Sequence, residues 1–340
     1  GDEEQQKDLA GLQVNELWLE VALKKGFSLK MGRQELVYDD HRLLGNVDWA
    51  NNTRSHDALL LKYANKDKEL NWHLGGAFNQ SGEPTFGTDY NLNNYKFLGF
   101  TWLKKGFSKA HSNVSATAIL NGVNSLDTAS TSPKVSLTLG PLYNYQYNNW
   151  KAVLGAYYQT GKTPKNQSIS AFMTNTYGEY RSKKLIAGIG LDYLSGSSDD
   201  TPADETQSFS TLYATNHKFY GYMDYFLAIP TDTKQRGLMD AYLRLGTSPC
   251  KNVTTTLDTH YFALANENAA SLMKKNLGTE LDLLLEYKPT PIINLQVGYS
   301  MLFATSNMEL LKGGSKDAYN GWAFVMLKVS PAFFTHEFKN

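Results

Sequence analysis

The chain is 340 residues long and carries 33 basic and 33 acidic residues, a single cysteine, and 13% aromatic residues with 21 tyrosines. Zero net charge gives no bulk field for nucleic acid, one cysteine excludes an internal disulfide framework, and no apolar run reaches the ~18 residues of a transmembrane helix. At this length one all-β domain suffices, and residues 1–340 are read as one unit.

The start, Gly1-Asp2-Glu3-Glu4, is too polar for a signal peptide, as expected of an exported protein after its signal has been removed. The first strand then shows the governing pattern. Leu17, Leu19, Val21 and Leu23 fall on one face, Glu16, Trp18, Glu20 and Lys24 on the other. Lys24-Lys25-Gly26 turns the chain, and residues 27–38 return with Phe27, Leu29 and Met31 alternating against polar neighbours. Arg33 lands on the apolar parity, so either a bulge breaks the alternation there or Arg33 lies beyond a bilayer.

A charged stretch follows, from Asp39-Asp40-His41-Arg42 through Asp48-Trp49 to Arg54-Ser55-His56-Asp57, held at both ends by apolar strands. Strands are then predicted over 57–64 and 70–79, 95–103 and 114–120, 135–145 and 152–159, and 168–180 and 185–194. Short polar turns join each pair, and long connections, such as 80–93 and 121–133, separate one pair from the next. Residues 195–237 break this rhythm with an aromatic and charged segment, Tyr213 to Phe226, too long for an ordinary connection. It reads as a loop folding back on the wall, and 38–56 reads as a second.

Strands resume over 238–246 and 253–264, with a turn at Cys250, then 277–287, 293–303 and 321–329. In the third of these, Leu281, Leu283 and Leu285 alternate with Glu280, Asp282 and Glu286. A soluble sandwich hides its apolar faces between two sheets and has no reason to align carboxylates along a strand opposite them. Strands of about ten residues, with short turns at one end and long loops at the other, are the pattern of an all-β, transmembrane antiparallel up-and-down β-barrel. Fifteen strands are visible, an odd number for a bacterial barrel.

Catalytic readings lack support. His41 beside Asp40 and His56 beside Asp57 come with no Gly-x-Ser-x-Gly elbow, Gly188-Ile189-Gly190 lies inside a strand, and Gly313-Gly314-Ser315-Lys316 lacks phosphate-loop spacing. No enzyme activity, cofactor or metal site is expected, and Cys250 is a bystander thiol.

Several motifs resemble the alginate-export family of outer-membrane porins. They are Gly32-Arg33-Gln34-Glu35, Asp40-His41-Arg42-Leu43-Leu44-Gly45, Asp48-Trp49, Arg54-Ser55-His56-Asp57, His217 to Asp224, Gly237-Leu238-Met239-Asp240, Leu277-Gly278-Thr279-Glu280 and Met308-Glu309-Leu310. The resemblance implies a barrel of about eighteen strands with inward loops and an arginine-rich constriction passing anionic polysaccharide. A shortened N-terminus would then account for the missing strands. The family pattern has glycine where Asp39 stands and glutamine where His41 stands.

A pore selects by diameter, by rings of charge and by the hydrogen-bonding groups along it. Arg33, Arg42 and Arg54 offer planar forks for carboxylates, and Asp40, Asp48, Asp57, Asp240 and Glu280 would hold those forks when the pore is empty. Glu35, His217, Lys218 and Asp224 lie within the resembling motifs, and Arg244 shares a face with Asp240; they complete the candidate pore-lining set. The function expected is passive diffusion of anionic or polar solutes, acidic oligo- or polysaccharide included. A loop-plugged structural or binding barrel and an outer-membrane hydrolase stand as alternatives. Expected partners are outer-membrane lipid and small anionic or saccharide solutes, with no nucleic acid, a monomeric state and a place in the bacterial outer membrane.

Overall fold

The computed structural model describes residues 14–49, 53–79, 94–126, 132–332 and 334. The polar start and the connection expected over 80–93 lie outside them. Period-two alternation gives β1 (Leu17–Ala22), β2 (Phe27–Gln34), β3 (His56–Asn65), β4 (Leu70–Phe78), β5 (Phe97–Phe107), β6 (Ser112–Val123), β7 (Lys134–Tyr147), β8 (Trp150–Lys162), β9 (Ser168–Arg181) and β10 (Ile186–Leu194). After the two-residue β11 (Glu205–Thr206) come β12 (Leu238–Cys250), β13 (Val253–Ala263), β14 (Asn276–Thr290), β15 (Ile293–Ala304) and β16 (Gly321–Val329). The fifteen long strands pair in chain order, each antiparallel to the next, and β11 alone adds on in parallel, against β9. Among the described residues one α-helix, α1 (Ser306–Lys312), sits between β15 and β16 in a stretch read from sequence as loop. The Thr305 side chain caps it, and Met308 and Leu311 are buried.

Burial is inverted relative to a soluble sheet. On one face Leu17, Leu59, Ile189, Leu243 and Val325 are 74, 51, 64, 52 and 73% exposed. On the other face Asp192, Asp240, Glu280 and Ser300 are each fully covered. Register makes the division continuous: Ile189 lies opposite Leu243 and Leu257 opposite Leu283 on the exposed face, while Asp192 faces Asp240 on the covered one. An apolar outward face with the polar face inward is what a strand spanning a bilayer requires, since only there is exposed leucine favourable.

Several element boundaries shift. β2 stops at Gln34, four residues before its expected end, because Leu36 leaves the sheet to be buried beneath the following loop. β12 runs through the expected turn to Cys250, which pairs with Val253, so the turn is Lys251-Asn252 and the thiol is exposed at a strand end. Register is unbroken at Arg33, which pairs with Leu17 on one side and Asp57 on the other, so no bulge redirects it.

Substituting Leu243→Arg tests the orientation. In a bilayer the arginine at this outward site should cost about 2–4 kcal/mol, read by urea titration of protein folded into lipid vesicles. A soluble surface would tolerate it within about 0.5 kcal/mol.

Candidate functional site: a loop clamp on the covered face

The stretch after β2 turns sharply, with positive φ at Asp39, His41 and Val47. This buries Leu43 and Leu44 against the covered face. It also meets the long segment between β10 and β12 edge to edge. Gly45 N–H donates to the Tyr213 carbonyl (2.9 Å), Tyr213 N–H to that of Leu43 (3.0 Å) and Thr215 N–H to that of His41 (3.0 Å). The two loops are therefore joined into one body by main-chain hydrogen bonds. Asp39 secures that body to the wall by accepting from Trp102 Nε1 at 3.0 Å, and burial pushes its carboxyl above the usual carboxylate range.

Arg42 is the central residue of this contact and is 5% exposed. Its Nε donates to Asp40 Oδ2 at 2.9 Å, its Nη1 to Asp192 Oδ2 at 2.5 Å, and its guanidinium lies 3.9 Å over the Phe219 ring. Asp192 and Asp240 are cross-strand partners on β10 and β12, so the guanidinium enters a belt of carboxylates. The belt continues through His260, whose Nδ1 is 2.9 Å from Asp240 and whose Nε2 is 3.9 Å from Asp282. At its far end the carboxylates receive the second loop's backbone: Met223 N–H donates to Glu280 (2.9 Å) and Tyr222 N–H to Asp282 (3.2 Å). Gly221 makes this approach possible, since it has φ +79° and a Cβ there would sit 2.4 Å from Glu280 Oε1.

Of the residues expected to line a pore, the clamp thus gathers Arg42, Asp40, Asp240 and Glu280. Arg244 is nearby on β12, locked to Asp258 by two bonds of 2.7 Å. Arg33 and Asp57 are placed elsewhere: they form a bidentate pair with each other on the exposed face, on the parity of Leu17, and are not brought to the covered side. Glu35 braces the loop by accepting from Asn46 at 2.7 Å and from Asn15 at 3.1 Å. Arg54 donates to the Ala214 carbonyl at 2.8 Å, and Asp48 pairs with Lys328 on β16. His217 contacts Asp224 at 2.6 Å and stacks on Trp49 with ring centroids 4.2 Å apart.

Sequence reading missed Asp192, His260 and Asp258 as members of this group. For Asp192 the available signal was a lone carboxylate on the same parity as Gly188 and Gly190, in a strand otherwise apolar. For His260 and Asp258 it was register against Glu280 and Asp282, which becomes visible only once β13 and β14 are paired.

A second polar feature lies toward the short-turn end. A cavity of about 560 Å³ is lined by Lys104, Lys151, Asn71, Asn113, Asn144 and Gln146, among others. Neither lysine belongs to an ion pair among the described residues. Lys218, on the second loop, donates to the Asp40 carbonyl at 3.3 Å. Burial holds its ammonium below the usual lysine range; Asp40 pulls the other way, and Lys151 and Arg42 add smaller repulsions. Among the described residues, Lys104 and Lys151 on this side of the clamp are thus outside any ion pair, although Lys151 lies 5.9 Å over the Tyr177 ring.

The family model described as Alginate export matches residues 1–306. None of the curated proteins matches the chain by sequence. Among solved structures, OprD from Pseudomonas aeruginosa is similar at a TM-score of 0.59 and 10% identity, covering 92% of this chain and 76% of its own. A BenF-like porin from Pseudomonas fluorescens Pf-5 gives 0.59 and 11%, covering 92% and 76%. OccK5 (OpdH) from Pseudomonas aeruginosa gives 0.57 and 10%, covering 91% and 80%. At such identities the likeness concerns the fold, which is that of a barrel.

Removing the clamp's cation should be costly. Arg42→Ala leaves Asp192 buried without its counter-charge and should destabilise the folded protein by about 3–5 kcal/mol. The paired replacement Arg42→Met with Asp192→Leu should recover most of that loss. Urea titration in vesicles checks both; equal losses in the two variants would show that Arg42 matters only through packing.

Proposed function

The chain belongs to the alginate export family of bacterial outer-membrane porins, and on that premise we propose that it passes anionic or polar solutes, acidic saccharide included, by passive diffusion. In this reading the covered face is the lumen and the joined loops, 38–56 and 195–237, narrow it.

The observation that carries the charge preference is the pair Lys104 and Lys151. Both face the cavity of about 560 Å³, among amides that hydrogen-bond hydroxyls and carboxylates. Ammonium groups outside any ion pair attract anions yet release them, as conduction demands. The arginines act differently: Arg42 and Arg244 are engaged by carboxylates, so they shape the constriction and leave solute contact to the lysines.

A second reading, a barrel plugged by its own loops, draws support from packing. Leu44, Phe209, Tyr220 and Phe226 of the two loops are all nearly fully buried against the wall. Single-channel recording in planar bilayers separates the two. An open porin should show discrete levels with anion preference in a salt gradient, and Lys104→Glu with Lys151→Glu should weaken or invert that preference. Protein that inserts but stays silent would sink the open-porin reading and leave the plugged barrel.

A further inference from the structure

The short connections all lie at one end of the sheet, and lysine occupies most of them: Lys24-Lys25 between β1 and β2, Lys109 between β5 and β6, Lys183-Lys184 between β9 and β10, and Lys251 between β12 and β13. Acids stand there only at Asp67 and Glu69, beside Lys66 and Lys68. Since the whole chain has zero net charge, this end is a cationic rim set against acids placed elsewhere. In an outer-membrane barrel the short turns face the periplasm, so the rim meets the headgroups of the periplasmic leaflet.

One stretch of the rim is more than a general attraction. The turn between β9 and β10 is held closed by Ser182, whose N–H donates to the Leu185 carbonyl at 2.8 Å and whose hydroxyl accepts from Leu185 N–H at 3.1 Å. Thr247 Oγ1 on β12 donates to the Lys184 carbonyl at 2.8 Å, which pins the turn to the wall. Lys183 and Lys184 are exposed and belong to no ion pair among the described residues. With Arg181, which is half-exposed and 2.9 Å from Glu179, they border an open volume of about 720 Å³. On the outward face beside the turn, Trp150, 59% exposed, is the cross-strand partner of Tyr180, with ring centroids 5.1 Å apart. Such amphipathic rings sit at the level of the headgroups. Next, toward the middle of the strands, comes an apolar groove of about 730 Å³, lined by Leu154, Gly178, Ile189, Leu243 and Tyr261 among others. Gly178, between Ala152 and Ile189, opens it, since a Cβ there would meet nothing within 4 Å. Groove and basic turn are continuous: Gly178 and Arg181 lie on the same strand, about 10 Å apart at the rise of a β-strand.

We infer that this stretch is a binding site for an anionic phospholipid, with the headgroup phosphate at Arg181, Lys183 and Lys184 and an acyl chain in the groove at Gly178. Two fixed ammonium groups and a guanidinium match a headgroup that keeps its negative charge. A zwitterionic headgroup brings its own cation to the same place and loses that match. Free phosphate has the charge but no chain for the groove. The inference rests on the outward orientation of the apolar face and not on what, if anything, crosses the lumen.

The test is native mass spectrometry of the full chain in detergent, titrated with phosphatidylglycerol and, separately, with phosphatidylcholine. Phosphatidylglycerol should bind at least tenfold more tightly. Lys183→Gln with Lys184→Gln should weaken it at least tenfold and leave phosphatidylcholine unchanged. Gly178→Leu, which fills the groove without altering a charge, should weaken phosphatidylglycerol as well. Lys24→Gln with Lys25→Gln, at a basic turn remote in sequence from the groove, should leave binding as it is, and inorganic phosphate at the lipid's concentration should not displace it. Equal binding of the two lipids overturns the site, as does parent-like affinity in either folded variant. An equal loss in the Lys24 and Lys25 variant overturns it too, by assigning the attraction to the rim as a whole, and displacement by phosphate does so by leaving an anion site without a lipid. The charge variant and the groove variant alter different parts of the site, so each carries the test if the other fails to fold.

Discussion

The buried charge of Arg42 is the constraint on which the interior arrangement depends. A guanidinium taken out of water is tolerated only when carboxylates and well-aimed hydrogen bonds surround it. Here Asp40 comes from its own loop and Asp192 from the wall, so satisfying the cation ties the loop to β10. The same bond settles the acid side. Asp192 and Asp240 face each other across two strands, and Arg42 meets that repulsion from the Asp192 side as His260 does from the Asp240 side. His260 and the backbone amides of Tyr222 and Met223 extend the arrangement to Asp282 and Glu280. Loop position and wall chemistry are thus one problem with one solution.

The strands supply the frame within which that solution is possible. Alternation sends leucine, isoleucine and valine outward, where lipid replaces water, and leaves glutamine, serine, threonine and carboxylates facing in. An inward polar face cannot be packed by apolar residues alone, so the loops that cover it carry both kinds of surface. Leu43, Leu44 and Tyr220 bury area, while Asp39, Arg42 and the Gly221-Tyr222-Met223 backbone meet the wall's polar groups. The arrangement is asymmetric around the sheet: Lys104 and Lys151, outside any ion pair among the described residues, lie on β5 and β8, whereas the buried carboxylates lie on β9, β10, β12, β13 and β14.

Local chemistry made most of the frame legible in the sequence, because period two and turn residues are properties of neighbours. All fifteen long strands were readable in this way, and the polar parity of Asp240 and Glu280 followed directly. What could not be read depends on register or on distant pairing. Arg33 illustrates the first case: its parity pointed outward from the start, but only the unbroken pairing with Leu17 and Asp57 removes the bulge. Asp192 illustrates the second, since 150 positions separate it from Arg42 and no spacing rule links them. Helix α1 was hidden for a simpler reason, being shorter than two full turns and surrounded by glycine and lysine.

The arginines also show why charge counted along a sequence is a poor guide to selectivity. Three forks near one stretch suggested an anion-binding ring, yet each finds a partner within the fold. Arg33 takes Asp57, Arg42 takes Asp40 and Asp192, and Arg54 bonds the Ala214 carbonyl. A guanidinium is suited to such roles because its planar fork makes several directed bonds at once. A lysine ammonium is a flexible point charge, less able to brace a loop and better able to follow a passing carboxylate. The division of labour on the covered face follows that difference: directional cations are spent on structure, and mobile ones remain beside the open volume.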